Sequence, residues 1–342
     1  MELAKTSLIL FILTLLLVAA FFADLLFGSV SIPINEIVKI LFSAHHSTTQ
    51  WDTIIFQLRL PRAVTAIFAG AALSVSGLQM QTIFRNPLAG PYVLGISSGA
   101  TLGVALLMLG FSGSIGFSTY SLTGSWAMCF AAWVGAALVL LLILIVTIRI
   151  KHIMTILILG IMFGSAISAV VNILQYFSNE TSLKSFVIWT MGSLSGVTLP
   201  QLSIFLPVVF IGLIVSAFSV KMLNALLLGE NYAKTIGLNL KMSKIFIFVS
   251  TSILAGTITA FCGPIGFIGI AVPHIARILF RTADHKILLP ATILIGAVLM
   301  LLCDVISQLP GSNKVLPINS VTALVGIPIV LWIIIRNRTV VV

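Results

Sequence analysis

Long apolar runs recur from one end of the chain to the other, separated by short polar stretches or by stretches with Gly and Pro. Each run approaches the roughly 20 residues that an α-helix needs to cross a hydrocarbon core. The alternation of apolar and polar residues that marks a transmembrane β-barrel is not visible. The pattern predicts an all-α, polytopic membrane protein with about ten transmembrane helices. The predicted spans are 6–27, 61–82, 93–110, 125–148, 153–176, 198–220, 243–262, 267–281, 287–305 and 320–336.

The composition indicates that most of the surface faces lipid. Hydrophobic residues make up 59% of the 342 residues and charged residues only 8%, whereas a soluble domain carries about 25% charged residues. The first apolar run, Leu8–Leu26, is too long for the core of an ordinary signal peptide, so we expect a retained spanning helix. Residues 1–342 are predicted to form a single transmembrane domain with a long inner loop at 221–242.

The basic residues are distributed unevenly over the predicted loops. With the N-terminus in the cytoplasm, 13 of the 18 Lys and Arg residues lie on the cytoplasmic side and 5 on the outer side. This bias follows the positive-inside rule and predicts that both termini are cytoplasmic. It also accounts for the net charge of +10 without nucleic acid, because no basic stripe interleaved with aromatic residues is present. The outer basic residues are Lys39, Arg59, Arg62, Lys184 and Lys314.

Two stretches rich in Gly and Pro, 86–95 and 263–273, interrupt the apolar pattern. Non-helical backbone at membrane depth is tolerated only where it is buried or lines a cavity. A faint internal repeat leads into them, because Gly77 follows Gly70 as Gly263 follows Gly256, seven residues later, and the two pairs are 186 residues apart. Paired interrupted segments in two halves of a chain are typical of transporters.

Four sequence blocks carry a resemblance to a known family. They are Arg59–Arg62 with Gly77 and Arg85–Pro91, then Leu228–Glu230 with Ala233 and Gly237, then Gly263–Gly269 with Val272–Arg277, and finally Leu316-Pro317 with Gly326–Pro328. On these blocks, the chain from about residue 50 to residue 338 resembles the permeases of the vitamin B12, haem and ferric-siderophore importers, which are the FecCD type of type II ABC importers. In that family Gly77, Gly263, Pro264, Gly266 and Pro273 are structural motif positions.

The resemblance implies a permease subunit with ten helices, without a catalytic site or cofactor of its own. Two copies, the same or closely related, would form the translocation path at their interface in a bacterial inner membrane. Two separate ATPase subunits, which carry ATP and Mg, would dock on the cytoplasmic side, and a solute-binding protein would dock outside. The expected substrate is a metal chelate, with a ferric siderophore or haem ahead of cobalamin because most of the family handles iron.

The inner loop is the candidate segment for coupling to the ATPase. Its sequence predicts two short helices broken at Gly229 and Gly237, and the resemblance assigns the coupling role to this knob. The alternative is an ordinary solvated loop. The candidate coupling residues are Leu228, Gly229, Glu230, Ala233 and Gly237.

Arg59 and Arg62 lie at the predicted outer start of the second span, against the charge bias. The resemblance assigns arginines at this place to docking of the binding protein, and the Arg fork suits carboxylates. The alternative is snorkelling to lipid phosphate. A further basic residue that the family often has after the ninth span is replaced here by Asp304–Gln308.

The turn Asn86-Pro87-Leu88 is expected at the inner end of the second span. The resemblance assigns it to the cytoplasmic gate, with Asn86 capping the broken helix and Leu88 closing the channel. The start of the fifth span, at Ile153 and Met154, would supply the other constriction. The alternative is a plain connection between helices.

The path is expected along the fifth and tenth spans and a short outer helix near Phe186–Met191. Gly160 and Gly164 form a GxxxG pair, which allows close backbone approach, although packing within one subunit would use it equally well. The candidate path residues are Gly160, Gly164, Asn172, Gln175 and Ser320.

Other functions lack sequence support. An ion-coupled secondary transporter, the main alternative, needs acidic or polar coupling residues near the midplane, and none of the eight acidic residues falls at the centre of a predicted span. The HExxH motif of metalloproteases and the lysine motif of P-loop ATPases are absent from the sequence. No metal site is predicted, because the adjacent His45 and His46 do not share a helix face and the three cysteines lie singly in apolar runs.

Overall fold

The computed structural model describes residues 2–28, 50–110, 122–150, 152–309 and 314–336, with 32, 33, 35, 37 and 40 between the first two ranges. Most of the outer stretch Ile34–Phe42, the pair His45-His46 and Arg338 lie outside the described residues. The chain is all-helical over the described ranges.

The described residues form thirteen α-helical elements, and each candidate residue lies in one of these helices or in a turn between two of them. They are α1 (Glu2–Leu26), α2 (Gln50–Phe84), α3 (Ile96–Gly110), α4 (Leu122–Arg149), α5 (Ile153–Phe177), α6 (Glu180–Thr190), α7 (Leu199–Phe218), α8 (Val220–Leu227), α9 (Glu230–Thr235), α10 (Leu240–Cys262), α11 (Ile268–Phe280), α12 (His285–Ser307) and α13 (Ile318–Arg336). A 3-10 turn, Pro91–Leu94, precedes α3.

Each predicted span coincides with a helix. Among the described residues, seven helices, α1, α2, α4, α5, α7, α10 and α12, are long and apolar enough to cross a membrane, and α3, α11 and α13 are shorter apolar helices. One boundary was wrong, because α2 begins at Gln50 and runs through a π-helical segment, Ile54–Arg59, so residues 50–60 are helical rather than loop. The polar residues Asp52, Gln57 and Arg59 interrupt the apolar pattern there and hid the start of the helix.

Helix α2 lies at the centre of the fold and packs against α12, α11, α10 and α7. Its contacts are close because glycines meet glycines. A Cβ on Gly70 would collide with the backbone of Gly296 on α12, and a Cβ on Gly77 would collide with the carbonyl of Gly269 on α11. Without a hydrophobic driving force between helices in lipid, such close van der Waals contact holds them together. By contrast, α1 and α5 expose most of their surface.

The internal repeat exists as an order of elements rather than as a fixed residue offset. A long helix, a broken turn, a short helix and another long helix occur as α2 to α4, where the first broken turn is residues 85–95, and again as α10 to α12, where the second broken turn is residues 263–267. The offset of 186 residues nevertheless pairs Gly77, inside α2, with Gly263, which ends α10. The two broken turns are in contact, because the Tyr92 hydroxyl donates a hydrogen bond to the carbonyl of Ile265.

Candidate functional site

The C-terminal end of α2, predicted to be its inner end, is closed by a left-handed turn at Arg85, which has φ 47°. The backbone N–H of Arg85 donates to the Thr82 carbonyl at 3.3 Å, and that of Asn86 donates to the Gln81 carbonyl at 3.2 Å. This pair is a Schellman motif, which satisfies carbonyls at the helix end. We name residues 85–88 the gate turn.

Asn86 does not cap the helix with its side chain, which corrects that detail of the sequence prediction. Its Oδ1 accepts a hydrogen bond from the backbone N–H of Leu88 at 2.9 Å, so the amide shapes the turn instead. The Leu88 side chain is 47% exposed. The carbonyl of Pro87 is 2.8 Å from Nε2 of His274 on α11, which holds the turn against its neighbour.

The loop at 221–242, which we name the coupling segment, contains two short helices as predicted, α8 and α9. Gly229 separates them with φ 115°, and Gly237 follows the second with φ 88°. Residues other than Gly rarely adopt these φ angles. Glu230 forms an ion pair with Lys244 at 2.9 Å, which ties α9 to α10, and Ala233, within α9, is fully buried. Leu228, at 66% exposure, points outward.

The gate turn and the coupling segment share one cleft of about 380 Å³. Its walls include Arg85 from the gate turn, Ile153 from the start of α5, and Leu228, Gly229 and Glu230. The structure therefore brings together residues that the sequence assigned separately to the gate and to coupling. Met154 follows Ile153 and is 48% exposed.

A second cavity, of about 460 Å³, lies between α3, α5, α6 and the second broken turn. Asn172 and Gln175 line it, as does Asn319, whereas the neighbouring Ser320 is exposed on α13 without being part of the lining. Hydroxyl and amide groups dominate its polar wall, and none of the lining residues is charged. The lining is Tyr92, Ser97, Ser98, Thr101, Ile167, Ser168, Val171, Asn172, Gln175, Phe186, Thr190, Pro264, Gly266, Phe267 and Asn319.

Exposed residues spaced by three or four along α5 form a continuous stripe, because residues at this spacing share one helix face. Toward the gate turn the stripe is apolar, and toward α6 it becomes polar. Its members are Met154, Ile158, Ile161, Ser165, Ser168, Asn172 and, half-buried, Gln175. The stripe thus runs from the cavity wall, at Ser168, Asn172 and Gln175, to the start of α5 at Met154.

The GxxxG pair faces into the subunit. A Cβ on Gly160 would collide with the carbonyl of Val93 in the 3-10 turn, and a Cβ on Gly164 would lie 3.3 Å from Oγ of Ser98. This geometry corresponds to the intrasubunit alternative. The glycines position α5 against α3 rather than line the cavity.

The backbone of the second broken turn forms part of the cavity wall. Gly263 ends α10 with φ 73°, and Pro264 and Gly266 line the cavity. The backbone N–H of Gly266 donates to Oδ1 of Asn319 at 2.9 Å, which joins this turn to α13. Pro273 is buried inside α11.

Arg59 and Arg62 are engaged inside the subunit at the end of α2 opposite the gate turn. Arg59 is 7% exposed and donates to the carbonyls of Leu25, at 2.6 Å, and Leu26, at 3.1 Å. Arg62 binds Asp304 on α12 through Nε, at 2.7 Å to Oδ2, and through Nη2, at 2.7 Å to Oδ1. Neither arrangement is the lipid snorkelling considered from the sequence.

Sequence reasoning missed a polar cluster behind this pair. Gln308 donates from Nε2 to Oδ1 of Asp24 on α1 at 3.0 Å and to Oδ2 of Asp304 at 3.2 Å. Both carboxylates are buried. A carboxylate within an apolar run indicates that a polar partner is buried beside it. The sequence could not identify these partners, because Arg62 is 242 residues from Asp304 and Gln308 is 284 residues from Asp24.

The fold and the site define a class of protein, a polytopic helical membrane protein. It has an uncharged polar cavity along α5, and its gate turn contacts the two short helices of the coupling segment. Comparison with known proteins narrows this class. The FecCD transport family model matches residues 15–336. A vitamin B12 import system permease protein, BtuC of Citrobacter koseri, is 36% identical over 84% of this chain and 84% of its own length.

Two further relatives extend over nearly the whole chain. A protein of Methanocaldococcus jannaschii, provisionally designated an ABC transporter permease protein, is 33% identical over 97% of this chain and 96% of its own. A solved structure described as an inward-facing conformation of a transporter assigned to the metal-chelate type of ABC transporters matches with a TM-score of 0.81 and 31% identity, covering 96% of this chain and 99% of that one.

The chain therefore belongs to the FecCD transport family. It is a multi-pass inner-membrane permease of an ABC importer, and the permease is the non-catalytic subunit of such importers. The comparisons give no support to an ion-coupled secondary transporter.

Proposed function

We propose that two copies of this permease enclose a path for a metal chelate, which opens to the cytoplasm at the gate turn when a separate ATPase acts on the coupling segment. All ten apolar helices would span the membrane, with both termini in the cytoplasm. A binding protein would deliver the chelate from outside. No residue of this chain is expected to bind ATP, Mg or another cofactor.

The exposed polar stripe on α5 is the observation that carries this proposal. Ser165, Ser168 and Asn172 are exposed on a helix that is long and apolar enough to cross a membrane. The amide of Asn172 at that depth is costly against lipid, and such groups normally face a protein interior or a water-filled cavity. The hydroxyls of Ser165 and Ser168 bond to carbonyls of their own helix and extend the same polar face. A second copy with its own stripe opposite would supply the missing cover and complete a path.

The cleft between the gate turn and the coupling segment supports the energetic part of the proposal. A bound nucleotide moves an equilibrium only if its binding energy differs between two conformations. An ATPase that grips Leu228 and the α9 surface differently with and without ATP would shift the adjoining gate turn. Deformation at Gly229 is localised, because the ion pair between Glu230 and Lys244 keeps α9 on α10.

The cavity lining bears on the substrate. Because none of its lining residues is charged, a chelate with several negative charges would lose hydration there without gaining an ion pair. We therefore place neutral ferric siderophores and cobalamin, which present amide and hydroxyl groups, ahead of haem and polyanionic iron chelates. The relatives named for vitamin B12 import strengthen the cobalamin candidate relative to the expectation from the sequence alone.

Uptake into proteoliposomes tests the proposal directly. The permease, its ATPase and its binding protein would be reconstituted and offered labelled cobalamin, a neutral ferric siderophore, an anionic one and haem, with and without ATP. We expect uptake of one neutral chelate only with ATP. Uptake that ignores ATP and follows an ion gradient would refute the proposal, and ATP-driven uptake of only anionic chelates would refute its substrate part.

The dimeric path has its own test. A cysteine at position 172 should be cross-linked to its counterpart in a second copy by a bifunctional thiol reagent that spans the path. Cross-linking at the lipid-exposed position Phe130 on α4, which is 69% exposed, serves as the control. Equal cross-linking at both positions would contradict an interface along α5.

A further inference from the structure

Three polar connections join the last two turns of α2 to the coupling segment and to Ser219, the residue that precedes α8. Gln79, Thr82 and Arg85 are spaced by three residues along α2, so each lies about one turn after the previous one. Gln79 contacts Ser219, Thr82 is linked to Asn224 through His285, and Arg85 contacts Leu226, so the partners follow the same order along the chain. The two segments therefore run side by side toward the gate turn.

The first connection is a buried network around the amide of Gln79. Its Nε2 donates to Oγ of Ser219 at 3.2 Å and to Oγ of Ser250 at 3.0 Å, and its Oε1 accepts from Thr251 at 2.9 Å. All four residues are fully buried. Ser219 is the single residue between α7 and α8. A buried amide with donors and acceptors satisfied in this way fixes the position of its neighbours.

The second connection passes through His285, the first residue of α12, which is 1% exposed. Its Nδ1 lies 2.7 Å from Oδ1 of Asn224, and its Nε2 lies 2.8 Å from Oγ1 of Thr82. The orientation of Asn224 follows from Asp284, whose carboxylate accepts from Nδ2 of Asn224 at 2.6 Å. A hydrogen bond from the backbone N–H of Lys286 lowers the pKa of Asp284, so this carboxyl stays ionised and only accepts.

These contacts determine the roles of the imidazole nitrogens. Oδ1 of Asn224 is an acceptor, so Nδ1 of His285 carries a proton and donates to it. In the neutral imidazole Nε2 then accepts, and the hydroxyl of Thr82 is its donor. The resulting chain joins α8 through α12 to α2. Oδ1 of Asn224 also accepts from the backbone N–H of His285 at 2.9 Å, and the hydroxyl of Thr82 also lies 2.8 Å from the carbonyl of Leu78 in its own helix.

The third connection lies at the gate turn itself. The guanidinium of Arg85 donates from Nη2 to the carbonyl of Leu226, in the last turn of α8, at 3.0 Å. Because Arg85 is also the left-handed residue that ends α2, the same residue shapes the gate turn and holds α8.

We infer that the inner end of α2 and α8 form one rigid unit, in which Thr82, His285 and Asn224 are positioning residues that deliver a displacement of α8 to the gate turn. This inference rests on the proposed function, in which the ATPase acts on the coupling segment. It adds the route: the displacement passes through side-chain hydrogen bonds across α12 rather than through the chain path of α7. The unit includes the first turn of α12, so α12 moves with α8 at this end.

The first test measures chelate molecules taken up per ATP hydrolysed, in proteoliposomes with the ATPase and the binding protein. Thr82→Val keeps the shape of the side chain and removes the donor to His285, and Thr82→Ser restores a hydroxyl. The matched control is Thr65→Val, because Thr65 is equally buried on α2 but its hydroxyl bonds only to the carbonyl of Pro61 in its own helix. Binding of the ATPase to each variant is measured separately.

We expect uptake per ATP to fall at least about fivefold in Thr82→Val, the lower end of typical coupling between two sites, and to return in Thr82→Ser. His285→Asn retains a group near Asn224 but cannot reach Thr82. Combining it with Thr82→Val should therefore add little to either single loss. Equal ratios in Thr82→Val and Thr65→Val would overturn the inference.

The second test does not require transport, so it separates failure of this inference from failure of the proposed function. Spin labels at positions 88 and 228, which are both exposed, report the distance between the gate turn and the coupling segment in the complex with the ATPase. The buried native cysteines are replaced by alanine in this experiment. We expect the same narrow distance distribution with and without ATP, and a broader one in Thr82→Val. A shift of the distance with ATP in the unmodified unit would show that the two segments move separately.

Discussion

Arg62 on α2 and Asp304 on α12 form a two-point ion pair, with Nε and Nη2 of the guanidinium each 2.7 Å from a carboxylate oxygen. The Asp304 side chain is fully buried and that of Arg62 is 13% exposed. The pair connects the two central helices at the end opposite the gate turn. Together with the bridge from Gln308 to Asp24, it ties α1 to the same cluster.

Removal of one partner of this pair should destabilise the fold strongly. Arg62→Met leaves the Asp304 carboxylate buried without its cation, which costs about 3–5 kcal/mol in comparable buried pairs. The double variant Arg62→Met/Asp304→Leu should lose much less, since no charge remains unpaired. Thermal unfolding of the purified protein in detergent measures both. A double variant as unstable as the single one would show that the pair contributes little as a pair.

Docking of the binding protein at Arg62 remains a prediction. The ion pair with Asp304 changes how Arg62 would bind that protein. A carboxylate from the binding protein would have to share the guanidinium with Asp304. Arg62→Glu, made together with Asp304→Asn so that two carboxylates do not lie side by side, should weaken docking more at low salt than at high salt, because exposed charges are screened over about 10 Å at 0.1 M salt. Lys184→Glu on the exposed face of α6 is the control for a general charge effect. Docking that ignores the charge at position 62 would remove this arginine from the interface.

The contact between Gly77 and Gly269 predicts that a single methyl group will disrupt the helix packing. A Cβ at position 77 has no free space against the backbone of Gly269, so Gly77→Ala should cost about 1–3 kcal/mol or more through displaced helices. Gly256→Ala is the matched control, because a Cβ there meets side-chain carbons no closer than 3.7 Å. Expression level and thermal unfolding in detergent distinguish the two. Similar stability of both variants would contradict the close approach.

The backbone at Gly229 predicts a selective loss of coupling. Its φ of 115° lies in a region that L-residues rarely adopt, so Gly229→Ala costs about 1–3 kcal/mol of local strain and displaces α9 from α8. We expect a folded permease whose uptake per ATP is reduced. Gly196→Ala, where a Cβ meets nothing within 4 Å, should behave as the unmodified protein. Normal uptake by Gly229→Ala would separate this turn from the coupling role.

The neutral cavity predicts a charge effect on substrates. Asn172→Asp places a carboxylate in the wall, where it repels anionic chelates through a medium less polar than water. We expect uptake of an anionic chelate to fall roughly tenfold, about 1.4 kcal/mol, and that of a neutral chelate to change little. Asn172→Gln serves as the uncharged control. Equal slowing of neutral and anionic chelates would place the chelate elsewhere.

The positions of the spanning helices followed from the sequence because the relevant signal is local. An apolar run long enough to cross a membrane predicts a helix wherever it folds, and Gly229 and Gly237 mark breaks through their own backbone freedom. The start of α2 was misplaced because its signal is not local. The polar residues at 50–60 become compatible with a membrane-embedded helix only through burial against other elements. Asp52, for example, is 9% exposed.

Candidate site residues divide in the same way. Asn172 and Gln175 were identifiable as polar residues in an apolar helix, and the structure brings them into one cavity. The GxxxG pair left two alternatives open, because Gly160 is equally suited to packing within a subunit or between subunits. Only its contact with Val93 decided between them.

The sequence by itself determined the helical class, the positions of the apolar helices, the broken turns and the blocks that resemble the FecCD family, all of which depend on residues near one another in the chain. Tertiary structure alone decided which polar side chains meet. Arg62 reaches Asp304 across 242 residues, and Thr82 reaches His285 across 203. Hydrophobic periodicity specifies the direction a side chain faces but not its partner, because the partner is selected by the packing of helices that are distant in sequence.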